Sequence, residues 1–262
     1  MSGPWLILVG VAAGVFAGLF GIGGGIIIVP SLMLFAAFPL VKATGTSLAA
    51  ILLPVGILGV IAYHKAKIID LRASAFLAVG LLTSVKVGAW LANTLPVNLM
   101  HVFFAVFCLY VSCNFTEAAR RLKKWRGIEV MPKPEPEEDP HPSPWPLIGI
   151  GLLAGVMAGM FGIGGGNIIV PLLTMALHYP HKRSIATSLG AILFPFGIPG
   201  VLYYHRAGNL DLTAAAWIAG GLFIGTVFGA MITIKLPGRT VKLLYGLFLI
   251  FVAAWTIMKR TF

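Results

Sequence analysis

Phe20-Gly21-Ile22-Gly23-Gly24-Gly25, followed by Ile26-Ile27-Ile28-Val29-Pro30, decides how this chain is read. It lies inside apolar sequence and then recurs as Phe161-Gly162-Ile163-Gly164-Gly165-Gly166, followed by Asn167-Ile168-Ile169-Val170-Pro171. Each glycine is about 1 kcal/mol worse than alanine in a helix interior, so four in five positions predict that the backbone unwinds. Inside a bilayer, bare backbone is tolerated only where protein or a watery cavity surrounds it. Each copy is therefore expected to be a broken or re-entrant turn. Its freed N–H groups, at the start of the helix beginning near Ile26 or Asn167, would face a buried site suited to an anion.

The rest of the chain fits a membrane setting. Of 262 residues, 58% are hydrophobic and only 10% are charged, against about a quarter charged in a soluble domain. Apolar runs fall at 4–20, 25–38, 45–63, 72–92 and 98–115, then at 145–161, 166–178, 186–204, 212–233 and 240–258. Their lengths and their leucine and glycine content read as helices rather than barrel strands. The first run is expected to stay in the mature protein, because its pattern recurs in mid-chain where no leader could be removed. The net charge of +11 sits in loops between runs, where it orients the chain rather than binding nucleic acid. Cys108 and Cys113 are five apart in one run, on different faces of a helix, and read as packing residues.

At an offset of 141 the two halves align without a gap, and 32 of the 58 pairs from Gly14/Gly155 to Leu71/Leu212 are identical. This is an internal duplication. The expected organisation is repeat 1 over 1–116, a charged Pro-rich linker over 117–144 and repeat 2 over 145–262. If each repeat crosses the membrane an odd number of times, the second is inverted. Lys and Arg then divide 14 against 4 between the two faces, placing the linker in the cytoplasm and both termini outside. Joining the first two runs into one broken span gives parallel repeats instead, and a weaker split of 12 against 6. The fold class expected is an all-α integral membrane protein with two inverted repeats of about five apolar segments each.

Candidate binding residues are Gly23, Gly24, Gly25, Gly164, Gly165 and Gly166, joined by Asn167, whose counterpart is Ile26. Gly14-x-x-x-Gly18 and Gly155-x-x-x-Gly159 are read as close helix packing instead. The glycine turns are not nucleotide loops, since no Gly-Lys-Ser/Thr follows and the Rossmann spacing fails at Ile26 and Asn167. Thr46-Ser47 and Thr187-Ser188, at the start of the third run of each half, either cap helices or donate hydroxyls to a ligand. Gate or charge candidates are Pro54 and Pro195, which interrupt those runs, Tyr63-His64 and Tyr204-His205 at their ends, and Lys86 inside the fourth run. For the tyrosine–histidine pairs a headgroup position is the plainer reading, and Lys86 could snorkel. Asp70 and Asp211 read as N-caps of the fourth runs. All eight carboxylates lie in loops or at helix boundaries, which argues against a cation path or a carboxylate proton relay.

At these residues the chain resembles the TauE/SafE sulfite-exporter family of membrane permeases. The likeness is carried by the two copies of Ala-Gly-x-Phe-Gly-Ile-Gly-Gly-Gly (Ala17 to Gly25, Ala158 to Gly166), the Ile-Val-Pro ends and the Thr-Ser-Leu starts of the third runs. It covers essentially the whole chain outside the linker. The resemblance implies transport of sulfite or organosulfonates such as sulfoacetate across the inner membrane, often outward. The expectation is a permease with a midplane anion site and alternating access. A passive small-anion channel is the alternative. No cofactor, metal site or enzymatic activity is expected, and no nucleic-acid partner. The expected partners are the small anion and the lipid bilayer, and the sequence allows a homo-oligomer.

Overall fold

The computed structural model describes residues 3–52, 56–96 and 142–237, with single positions at 99, 240, 241, 243, 244, 247 and 250. The first repeat contributes α1 (Gly3–Phe20), α2 (Gly25–Phe35), α3 (Leu40–Leu52), α4 (Ile57–Lys65) and α5 (Leu71–Thr94). Their counterparts are α6 (Pro144–Phe161), α7 (Gly166–Met175), α8 (His181–Leu193), α9 (Ile198–Arg206) and α10 (Leu212–Lys235). The chain falls into two compact units, Met1–Thr94 with Pro140–Lys235, and Leu95–Asp139 with Leu236–Phe262. All ten of these helices belong to the first unit, so that unit draws on both repeats. Pro54, Cys108, Cys113, most of the linker, and nearly all of the fifth and tenth apolar runs lie outside the described residues.

Among the described residues the protein is all-helical, as its composition requires. Three helices, α5, α6 and α10, are long and apolar enough to cross a membrane. The count rises to five if the bent pairs α3/α4 (49°) and α8/α9 (53°) each form one span. Pro195 stands in the second of these bends, where α8 stops at Leu193 and α9 starts at Ile198. Helices α2 and α7, of 11 and 10 residues, are about 15 Å long, half of a bilayer core. Each ends where a non-glycine residue turns left-handed, Ala37 (φ 52°) and its counterpart His178 (φ 57°). The following amides bond back six residues, Phe38 N–H to Leu32 O at 3.1 Å and Tyr179 N–H to Leu173 O at 3.0 Å. The expected helices over 25–38 and 166–178 are therefore a few residues shorter than their apolar runs.

The unit is held together by crossing between repeats. Helix α1 packs along α10, and α6 along α5, with glycines in contact with the facing backbone. A methyl group at Gly14 would come 2.6 Å from Leu222 O, and one at its counterpart Gly155 would come 2.6 Å from Leu81 O. The Gly-x-x-x-Gly pairs thus serve close approach, as read from their spacing. The opposite faces of α5 and α10 expose Leu82, Val87, Trp90, Phe223, Phe228 and Met231, an apolar surface suited to lipid.

Candidate functional site

Both glycine stretches break their helices, and they meet. Gly21, Gly23 and Gly24 have φ of 69°, 78° and 83°, and Gly162, Gly164 and Gly165 have 65°, 78° and 77°. This left-handed backbone is nearly free of cost only for glycine. A Cβ on Gly23 would lie 3.3 Å from Gly164 Cα, and one on Gly164 would lie 3.3 Å from Gly23 Cα. A Cβ on Gly25 would fall into the Gly162 carbonyl, and one on Gly166 into that of Gly21. The contact is backbone on backbone, and every residue from 21 to 26 and from 161 to 170 is buried.

A broken helix leaves carbonyls without partners on one side and amides on the other. Here the carbonyl side is capped. Gly21 N–H donates to Ala17 O at 2.8 Å, and Gly162 N–H to Ala158 O at 2.8 Å. Tyr63 Oη–H donates to Gly18 O at 2.6 Å, and Tyr204 Oη–H to Gly159 O at 2.8 Å. Across the repeats, Ser47 Oγ–H donates to Gly162 O at 2.7 Å and Ser188 Oγ–H to Gly21 O at 2.8 Å. Thr233 Oγ1–H adds a bond to Leu19 O at 2.8 Å. The amide side is not capped. None of the N–H groups of residues 22–26 or 163–167 donates to a backbone carbonyl among the described residues. Neither helix start has a side-chain cap. With these carbonyls bonded and these amides lacking acceptors among the described residues, the junction is chemically suited to a small anion. A cavity of about 10 Å³, room for about one water, lies beside Gly23, lined by Ala17, Ile51, Leu189, Ile192, Leu222 and Thr226.

The model for the "Sulfite exporter TauE/SafE" family matches residues 6–256. The chain belongs to this family. Among its relatives, "Probable membrane transporter protein YunE" of Bacillus subtilis (strain 168) is 28% identical over the full length of both chains. A "Probable membrane transporter protein" of Haemophilus influenzae is 32% identical and covers 97% of each chain. Another, from Methanocaldococcus jannaschii, is 28% identical over 92% of this chain and 90% of its own length. No solved structure matches the chain. It is a multi-pass membrane protein of a transporter family.

In this TauE/SafE protein the other residues singled out from sequence are distributed unevenly. Asn167 is buried at the second position of α7, with Nδ2 and Oδ1 lacking partners among the described residues. Ser47 and Ser188 reach the glycine turns, but as carbonyl caps whose hydroxyl protons are committed. Thr46 and Thr187 are drawn to the far side, accepting from Asp211 N–H and Asp70 N–H at 3.1 Å each. Tyr63 and Tyr204 are fully buried in the protein, while His64 and His205 beside them are exposed. Successive residues on a helix point about 100° apart, and here the tyrosines are the ones whose hydroxyls reach α1 or α6. Lys86 is exposed on the outer face of α5, and Pro195 is exposed in its bend, so neither is brought to the turns. Pro54 lies outside the described residues. Thr44, missed in the sequence, is 1% exposed with an unpaired Oγ1; its contrast with the counterpart Ile185 was the available signal.

Because Tyr63 and Tyr204 cap carbonyls at the broken ends of α1 and α6, Tyr63→Phe and Tyr204→Phe should each cost about 1–3 kcal/mol. The check is the thermal unfolding midpoint of the purified protein in detergent, which should fall in both variants. An unchanged midpoint would show that these bonds hold nothing together.

Proposed function

We propose that this protein exports small sulfur-containing anions, sulfite or an organosulfonate such as sulfoacetate, across the inner membrane. The anion binds near the midplane between the two glycine turns, and access alternates as the repeats move against each other. What carries the reading is the one-sided capping of the helix breaks, in which side chains satisfy the carbonyls and leave buried amides open. Neutral amides can replace a hydration shell without holding an anion too tightly for release. The reading gives the protein a transport role and no catalytic one.

Inverted repeats suit this cycle, and two contacts support them. Near the end of α5, Asn93 Oδ1 accepts from Asn209 Nδ2 at 3.1 Å, just before α10 begins. Near the end of α10, Ile234 O accepts from Lys182 Nζ at 3.0 Å, and the adjacent Arg183 meets Asp70, just before α5 begins. These contacts favour equivalent helices that run in opposite directions. On that reading the Lys and Arg distribution favours a cytoplasmic linker and external termini.

A channel is less well supported, because it needs a continuous path and the two turns are in backbone contact. The test is efflux of sulfite from loaded proteoliposomes. Saturable efflux at carrier rates, competed by sulfoacetate or methanesulfonate, is expected. Efflux no faster than from protein-free liposomes would overturn the proposal, and unsaturable flux would return the protein to the channel reading.

A further inference from the structure

The repeats agree at the glycine turns but differ beside them, and two of the differences leave buried polar atoms without partners among the described residues. Where the first repeat has Thr44 the second has Ile185, and where the second has Asn167 the first has Ile26. Both polar members are buried, Thr44 at 1% and Asn167 at 0% exposure. Thr44 Oγ1 and both polar atoms of the Asn167 amide have no hydrogen-bond partner among the described residues. Burying such groups unpaired costs stability, so stability alone would favour the isoleucine each has as its counterpart.

Both exceptions belong to the same turn. Thr44 packs its backbone on Gly162, where a Cβ would come 2.6 Å from Thr44 O and 3.0 Å from Thr44 Cα. Ser47, one helical turn further along α3, donates to the Gly162 carbonyl. Asn167 directly follows Gly166 as the second residue of α7. Cα–Cβ bonds in a helix tilt towards its N-terminus, which favours an Asn167 amide that reaches back towards residues 163–166. Ile185 and Ile26 occupy the equivalent places at the first turn and bring no side-chain polar atom there. A Cβ on Gly21 would meet Ile185 O at 2.6 Å, as one on Gly162 meets Thr44 O.

We propose that the anion is held asymmetrically, at the turn of the second repeat, with Thr44 and Asn167 as its side-chain ligands. This rests on the transport reading above. Thr44 Oγ1–H and Asn167 Nδ2–H add two donors to the open amides of residues 163–167. Together they suit the several oxygens of a sulfite or sulfonate head. Asn167 Oδ1 remains to accept from a protonated oxygen, as in hydrogensulfite. The first turn forms the opposing wall, through Gly23.

Near-isosteric variants test this. Thr44→Val and Asn167→Leu remove the polar atoms with little change of shape. Affinity for sulfite and for methanesulfonate is read from the ligand-dependent shift of the thermal midpoint, and the midpoint without ligand is recorded beside it. Each variant should bind both probes at least tenfold more weakly, while its unliganded midpoint stays level or rises. If the wild-type protein binds the probes and the variants bind them equally well, this assignment falls and the transport reading stands. Lost binding with a lowered unliganded midpoint also overturns it, since the two side chains would then be holding the fold. If the wild-type protein neither binds a probe nor moves sulfite in proteoliposomes, both readings fall.

Discussion

Alanine at Gly166 should cost about 3 kcal/mol or more and leave little folded protein in the membrane. Its Cβ would fall into the Gly21 carbonyl of the other repeat, with Ile22 Cα at 2.5 Å. Both sides of the clash are main chain, so no rotamer relieves it. The same applies to Gly25 against Gly162 and Ile163. Gly165→Ala is a useful contrast. There a Cβ meets Leu81 Cδ2 at 2.9 Å, the end of a flexible side chain, and main chain only at 3.2 Å, at Ala154 O, so the main cost is holding alanine at φ 77°. That strain is about 1–2 kcal/mol, so Gly165→Ala should fold. Expression yield and unfolding midpoint separate the two. Near-wild-type behaviour of Gly166→Ala would show that the turns do not press together.

Asp70→Asn should cost about 2–3 kcal/mol, while Asp211→Asn should cost about 1 kcal/mol or less. The two aspartates are counterparts, and each N-caps its helix, Asp70 Oδ1 accepting from Ala73 N–H and Asp211 Oδ1 from Ala214 N–H at 2.9 Å each. Asparagine keeps the capping oxygen, so the difference lies in what the other oxygen meets. Asp70 Oδ2 accepts from Tyr179 Oη at 2.9 Å and from Arg183 at 3.3 Å, with side chains only 13% and 15% exposed. Asp211 Oδ2 is 3.9 Å from Lys42 Nζ, and both side chains are about a third exposed (33% and 34%). Water therefore screens the second pair far more than the first. Lys42 is the counterpart of Arg183, and Phe38 replaces Tyr179, which removes the hydroxyl that closes the first cluster. Equal midpoints for the two variants would mean that the tighter geometry carries no extra stability.

The breaks at the turns were legible because glycine at such density has no helical explanation in apolar sequence. The doubling was legible from identity at a fixed offset, and the N-capping of Asp70 and Asp211 from their place before an apolar run. Partners across the repeats were not. Nothing local to Ser47 says that its hydroxyl will meet Gly162, 115 residues away, and the bland and functional readings of a Thr-Ser pair are identical in sequence. The same holds for Tyr63. An aromatic residue at a run end reads as interfacial, and nothing local shows that Gly18 O will lie 2.6 Å from its hydroxyl. Thr44 was hidden for another reason: threonine is unremarkable on a helix, and its contrast with Ile185 gains meaning from burial without a partner among the described residues.

The most direct test of an anion site at the paired glycine turns is diffraction from crystals soaked in selenite, the selenium analogue of sulfite, recorded at the selenium edge. A single anomalous peak within hydrogen-bonding reach of the amides of residues 163–167 is the expected result. A peak elsewhere in the protein, with the two turns still closed on each other, would contradict it.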